Sequence, residues 1–229
     1  MRASVYVDGF NLFYGCLKGG KNKWLDINKL VNFYFPNYII DRIKYFSALT
    51  SARKNDLNKP VRQQAYIRAL KTNPNTEIIL GSFLENEVIF CVPDKKKDGS
   101  QQRANVSIFN KSMKMPLFGY NYLAVKKTEE KGSDVNLGVH LVMDAYENKF
   151  DVAIVVSNDS DLAEPIRIVN NMGKLRVRLL NPYPTTQQTL KRFVNNDTKF
   201  IRQNALAASQ FPENMTDSVG AFHMPADWK

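Results

Sequence analysis

The sequence predicts an α/β domain built on a mainly parallel sheet. Three observations carry that expectation. Short β-branched runs alternate with segments of helical apolar spacing, as a parallel sheet with crossover helices requires. The opening run "ASVYVDG" (3–9) ends in Asp-Gly, and the later run "DVAIVVS" (151–157) emerges directly into "NDSDLAEP". Carboxylates at such places are tolerable only where a buried strand leaves its sheet.

Taken in order, the first run reads as a buried strand with its exit turn. "FNLFYGCLKGG" (10–20) follows as a short helix stopped by two glycines. "IDRIKYFSAL" (40–49) is a second strand and "TEIILGSF" (76–83) a third. Between them "NDLNKPVRQQAYIRALKT" (55–72) reads as a helix, with Val61, Ala65, Ile67, Ala69 and Leu70 as its apolar positions.

Over residues 84–128 the texture changes. The strand-like "ENEVIFCV" and "YNYLAV" flank the basic, Gly- and Pro-bearing "PDKKKDGSQQR" and "KMPLFGY", which reads as an inserted basic β-arm. Phe90, Phe109, Phe118, Tyr120 and Tyr122 sit among the basic residues. That mixture suits stacking on bases beside phosphate contacts, and it equally suits rings that cover a sheet.

"GSDVNLGVHLVMDAYENK" (132–149) is the clearest helix, with Val135, Val139, Val142 and Met143 on neighbouring faces and Ser133 or Asp134 at its start. A helix at 161–173 with Pro165 near its first turn, a strand at 174–181 and a helix in "TTQQTLKRFV" complete the pattern. The domain is expected to span 1–207, with 208–229 as a weakly ordered tail.

Composition bounds the function. The chain has 229 residues, of which 44% are hydrophobic, enough for one α/β domain with a sizeable core. Thirty-two Lys and Arg against 22 Asp and Glu give a net charge of +10, which favours polyanionic partners. No window approaches a membrane span and no cationic-then-apolar leader opens the chain, so a cytoplasmic protein is expected. The two cysteines, Cys16 and Cys91, lie outside any CxxC pattern, and two histidines cannot build a zinc cage with them. His140 falls inside the long helix and reads as structural.

Competing strand-to-helix chemistries leave no trace. The sequence contains no GxxxxGK[ST] phosphate loop, no GxGxxG fingerprint and no GxSxG elbow. A nucleophilic first-strand aspartate would usually be followed two residues later by another, where this chain has Phe10.

Ligands of an open parallel sheet collect beyond the carboxyl ends of its strands. The first strand delivers Asp8 to that edge, the strand at 152–157 delivers Asp159 and Asp161, and the helix from 132 brings Asp134. Read singly, Asp134 and Asp159 serve equally well as helix caps and Asp8 as a turn residue. Together they would repel one another, and a divalent cation relieves that repulsion. Carboxylate oxygens suit Mg²⁺ or Mn²⁺.

"YVDGFNLFYG" (6–15), "EEKGSDVNLGVHLVMDAY" (129–146) and "VAIVVSNDSDLAEPIRIVNNMGKLRV" (152–177) resemble the NYN domain, the PIN-like nuclease group that includes LabA-type (DUF88) proteins. The resemblance covers roughly residues 2–181 and implies a three-layer α/β/α sandwich around a central parallel sheet. It further implies a metal-dependent ribonuclease centre with Asp8, Asp134, Asp159 and Asp161 as acidic positions. Asn11 would orient the first aspartate or a phosphate, and Ser157 and Ser160 match the family serines. Asn158 stands where many members have Gly and Leu162 where Phe is common; neither change removes a ligand. Asn158 is counted with Ser157, Ser160 and Lys131 as substrate-facing, and Lys131 reads equally well as a solvated lysine.

The resemblance thus implies an endoribonuclease using Mg²⁺ or Mn²⁺, with RNA favoured over DNA and a homodimer compatible with it. Arg53, Lys54, Arg62 or Arg176 could guide the strand. Two alternatives remain: a catalytically silent RNA-binding module, and a hydroxylase of pyridine compounds. The latter would need a redox cofactor, for which the sequence carries no signature.

Overall fold

The computed structural model describes residues 1–52, 56–92, 112–113, 121–194 and 197–228; side chains of 90–92, 112–113 and 121–124 are outside that description. Arg53, Lys54, the Lys95–Lys97 run, Phe109, Phe118 and Tyr120 therefore lie outside the described residues, as do the side chains of Phe90, Cys91 and Tyr122. The chain divides into two compact units, one of Met1–Ser82 with Lys131–Lys229 and the other of Phe83–Glu130.

The first unit begins with β1 (Arg2–Asp8), α1 (Gly9–Leu12), a π-helical turn (Phe13–Leu17), α2 (Ile27–Tyr34), β2 (Ile39–Ala48) and α3 (Lys59–Leu70). β3 (Thr76–Val92), β4 (Ser112–Met113) and β5 (Asn121–Lys131) follow. Next come α4 (Ser133–Tyr146), β6 (Val152–Val156), a 3-10 turn (Ser160–Leu162), α5 (Ala163–Asn171), β7 (Arg176–Asn181) and α6 (Gln188–Val194). The chain closes with β8 (Thr198–Phe200), α7 (Gln203–Ala208), β9 (Asn214–Asp217), β10 (Gly220–His223) and a 3-10 turn (Ala226–Trp228).

Six strands of the first unit lie in the order β3-β2-β1-β6-β7-β8, all parallel. β1 and β6 are neighbours although more than a hundred residues separate them, because the chain winds outward on one side and then on the other. The crevice at their carboxyl ends is the topological switch point. In the second unit β4 and β5 pair antiparallel, and β5 neighbours β3.

Helices cover both faces, giving the expected three layers. One face packs Val5, Val7, Ile43 and Ile154 against Leu30 and Val31 of α2, Tyr66 of α3 and Leu206 of α7. The other packs Tyr6, Phe46, Val155 and Leu179 against Leu137 and Leu141 of α4, Ile166 of α5 and Leu190 of α6. All five residues of β6, "VAIVV", are buried. At roughly 1.5–3 kcal/mol for each buried branched side chain, that strand readily tolerates a buried polar group beyond its end.

α4 departs from its sequence reading. Leu137, Leu141 and Ala145 are buried, whereas Val135, Val139 and Met143 are exposed. The helix is apolar on two faces, so its pattern does not say which one the sheet takes. Polar chemistry fixes the choice: Tyr6 donates to Asp144 Oδ2 at 2.8 Å and the Lys44 ammonium lies 2.5 Å from the same oxygen, with both charged side chains buried. Lys44 Nζ also meets His140 Nδ1 at 3.0 Å. Burial alone pushes the Asp144 carboxyl up, but the hydrogen bonds from Lys44 and Tyr6 outweigh it and hold it below the usual range. This pairing pins α4 across β1 and β2.

Two further differences follow from packing. α2 is absent from the sequence reading, although Asp26 accepts from the Lys29 N–H and Ile27, Leu30 and Val31 supply its buried face. The stretch 208–229, expected to be weakly ordered, instead forms over its described residues an antiparallel hairpin of β9 and β10 and a closing turn. Its aromatic residues hold it down: Phe211, Phe222 and Trp228 all pack on Trp24. Arg68 reaches both Asp217 oxygens at 2.6 Å.

Candidate metal centre

Side-chain alternation along β1 places Tyr6 and Asp8 on the same face of the sheet. That face carries α4, and the start of α4 supplies Asp134. Gly132, with φ 95°, makes the left-handed turn into the helix and leaves Asp134 in its first turn rather than at the cap. Asp159 arrives from β6, beside β1. Asp8, Asp134 and Asp159 each offer a carboxylate oxygen, and these atoms lie within 4.8 Å of one another.

Capping and clustering prove compatible. Asp8 Oδ1 accepts from the Asn11 N–H at 2.8 Å, starting α1, and Asp159 Oδ1 accepts from the Asp161 N–H at 2.9 Å, starting the 3-10 turn. Each carboxylate orders its own helix start while keeping lone pairs that converge. Ser157, fully buried, donates to Asp8 Oδ2 at 3.0 Å and accepts from the Asp159 N–H at 3.0 Å. Burial raises the Asp8 carboxyl to about 7, with the Asp134 and Asp159 charges adding to it and the Asn11 and Ser157 hydrogen bonds opposing it.

This donor set fits a hard divalent cation. Oxygens around one Mg²⁺ lie about 2.0–2.1 Å from it, so opposite ligands stand about 4.2 Å apart, and the three oxygens here lie within 4.8 Å of one another. The cluster could hold such an ion, and an ion there would relieve the repulsion that Asp8 experiences.

Other sequence-derived positions divide. Asn11 Oδ1 accepts from the Asn158 N–H at 2.8 Å, tying α1 to the exit of β6. Asn158, expected to face substrate, is buried; its Oδ1 accepts from Asn181 Nδ2 and the Gln187 N–H, and its Nδ2 donates to Thr185 O, each at 3.0 Å. It therefore braces the loop after β7. Ser157 is likewise committed to internal bonds. Asp161 and Ser160 are exposed on the 3-10 turn, and Asp161 is outside the trio. Lys131 is exposed at the end of β5. Arg176 begins β7 and so lies at the opposite edge from the carboxylates, while Arg62 is engaged by Asp56 at 2.5 Å and Asp227 at 2.9 Å.

Two tyrosines escaped the sequence reading. The Tyr45 ring packs so closely on Gly9 that a Cβ there would lie 2.5 Å from it. Burial raises its hydroxyl pKa, and the charge of Asp8 adds to the shift. Tyr183 is raised for the same reasons, with Asp8 and then Asp159 contributing. Tyr183 follows the end of β7, whereas Tyr45 lies inside β2, three residues before its end.

The chain matches the model of the NYN domain over residues 2–206. It belongs to the NYN domain family. Among curated proteins this NYN chain is similar to the 6-hydroxy-3-succinoylpyridine 3-monooxygenase HspA of Pseudomonas putida, at 26% identity over 236 residues, covering 93% of this chain and 70% of the relative. Among solved structures it resembles a protein of unknown function from Vibrio parahaemolyticus, with a TM-score of 0.53 and 16% identity over 89% of this chain and 94% of the other. The second likeness concerns the fold alone. NYN domains are generally nucleases, and the acidic trio of this one could bind a metal.

Proposed function

We propose that this NYN protein is a metal-dependent endoribonuclease. The convergence of Asp8, Asp134 and Asp159 at the topological switch point carries the reading. In it, the three carboxylates hold one or two Mg²⁺ or Mn²⁺ ions, with Asp161 contributing at most through water. Ser157 and Asn11 keep Asp8 aimed at the cluster, and the first turn of α4 presents Asp134. A divalent cation bound there supplies Lewis acidity for hydrolysis of a phosphodiester. Lys131 and Ser160, both exposed, are the positions from which substrate phosphate would be met, and the net charge of +10 attracts the polyanion.

The test is cleavage of labelled single-stranded RNA and of the matching DNA by purified protein with Mn²⁺. RNA cleavage abolished in Asp8→Asn and Asp159→Asn is expected. Cleavage that persists unchanged in both variants would refute the site, and RNA bound without metal-stimulated cleavage would leave a silent binding module.

A second reading rests on the relative, whose name describes oxygenation of a pyridine compound. It requires O₂, an electron donor and an aromatic substrate. Hydroxylation of 6-hydroxy-3-succinoylpyridine by the purified protein with NADH and flavin would favour it over phosphodiester hydrolysis.

A further inference from the structure

A cleft of about 610 Å³ opens at Gly9, the residue directly after Asp8. Its volume falls within the roughly 300–1,000 Å³ range of small-ligand sites. The start of α1, directly after β1, and the carboxyl end of β2 form its base, contributing Gly9 and Ser47. α3 and the last turn of the chain wall one side, where Arg62 is paired with Asp227 at 2.9 Å and Trp228 packs on Tyr66.

The opposite wall is the segment from α1 through the π-helical turn. A π turn re-aims side chains relative to an ordinary helix and occurs often at functional sites. Here it presents Phe13 and Tyr14 edge-to-face, with centroids 5.4 Å apart. Tyr14 is 50% exposed although it lines a cleft. The Lys18 ammonium stands 4.8 Å from its ring centroid, and Lys23 lines the same cleft. An accessible ring beside one ammonium group, in a cleft that a second lysine also lines, is the combination that takes an unstacked base together with its phosphate.

We propose that this cleft is a base-stacking subsite for one nucleotide of a single-stranded nucleic acid, with Tyr14 as the stacking platform and Lys18 and Lys23 at the phosphate. The inference rests on the nucleic-acid reading of the neighbouring carboxylates, whose substrate class it narrows to strands with unpaired bases.

The test uses fluorescence anisotropy with labelled single-stranded hexaribonucleotides in EDTA, so that no cleavage occurs. One oligonucleotide carries all its bases, and a series is abasic at one position each. Wild type should bind one abasic oligonucleotide about tenfold more weakly than the intact one, in line with the worth of a stacked base. Tyr14→Ala should bind the intact strand about tenfold more weakly and lose discrimination against that abasic position, while Tyr14→Trp regains both. Lys18→Ala should reduce the salt dependence of binding and keep the discrimination.

Equal affinity of wild type and Tyr14→Ala, or abasic discrimination preserved in Tyr14→Ala, overturns the subsite. Discrimination by Tyr14 without Mn²⁺-dependent cleavage would retain the subsite and remove the nuclease reading. Cleavage without that discrimination would do the reverse.

Discussion

Ser157 Oγ lies 3.0 Å from Asp8 Oδ2 and donates to it, while the Asp159 N–H donates to the same hydroxyl at 3.0 Å. One buried hydroxyl thereby sets the spacing between two of the three clustered carboxylates. Residues that orient metal ligands typically govern affinity by about 10- to 100-fold. Ser157→Ala is expected to weaken Mn²⁺ binding within that range, as read by isothermal titration calorimetry, while the protein stays folded by circular dichroism. Affinity unchanged in Ser157→Ala would separate the serine from metal binding.

At the proposed centre a proton and a metal would compete for Asp8. Its carboxyl is raised to about 7, against about 3.9 in an unfolded chain. Between these values the folded metal-free state holds a proton that the unfolded state has lost, so metal-free stability falls as pH rises through the window. A cation reverses the trend, because it binds the deprotonated form. Added Mn²⁺ should therefore raise the Tm more at pH 8 than at pH 5.5, and a shift independent of pH would contradict the raised carboxyl.

The Lys44–Asp144 pair is buried, and removing one member strands the other's charge. Asp144→Ala should cost about 3–5 kcal/mol in urea unfolding. Replacing both at once, Lys44→Met with Asp144→Leu, should recover most of the loss, since desolvation of the two charges disappears with them. Equal loss in the single and paired variants would show that the contribution lies in packing alone.

Gly9 is tested by its missing Cβ. A methyl there would lie 2.5 Å from the Tyr45 ring and 2.8 Å from the Phe46 carbonyl oxygen, and the latter belongs to the sheet. Gly9→Ala should destabilise by about 1–3 kcal/mol and displace the neighbouring Asp8, reducing Mn²⁺ affinity as well. A variant with wild-type melting and binding would mean that the segment yields freely.

The parallel strands and the meeting of Asp8, Asp134 and Asp159 were legible because two β-branched runs ended in acid and a third acid opened the clearest helix. What stayed hidden depends on tertiary partners. α4 is apolar on two faces, and only Lys44 and Tyr6, from β2 and β1, reveal which face Asp144 turns inward. The final hairpin looks polar in sequence, and its order comes from rings that meet Trp24. Asn158 read as substrate-facing because its partners Asn181, Thr185 and Gln187 arrive from the end of β7 and the loop after it, more than twenty residues later. Tyr45 and Tyr183 gave no local signal, since neither belongs to a motif.

The central claim is that Asp8, Asp134 and Asp159 share a cation. Mn²⁺ titration followed by electron paramagnetic resonance measures it directly, in wild type and in single Asp→Asn variants at positions 8, 134, 159 and 161. Saturable binding lost in the first three variants and kept in Asp161→Asn is the expected result. Binding indistinguishable across wild type, Asp8→Asn, Asp134→Asn and Asp159→Asn would contradict the claim.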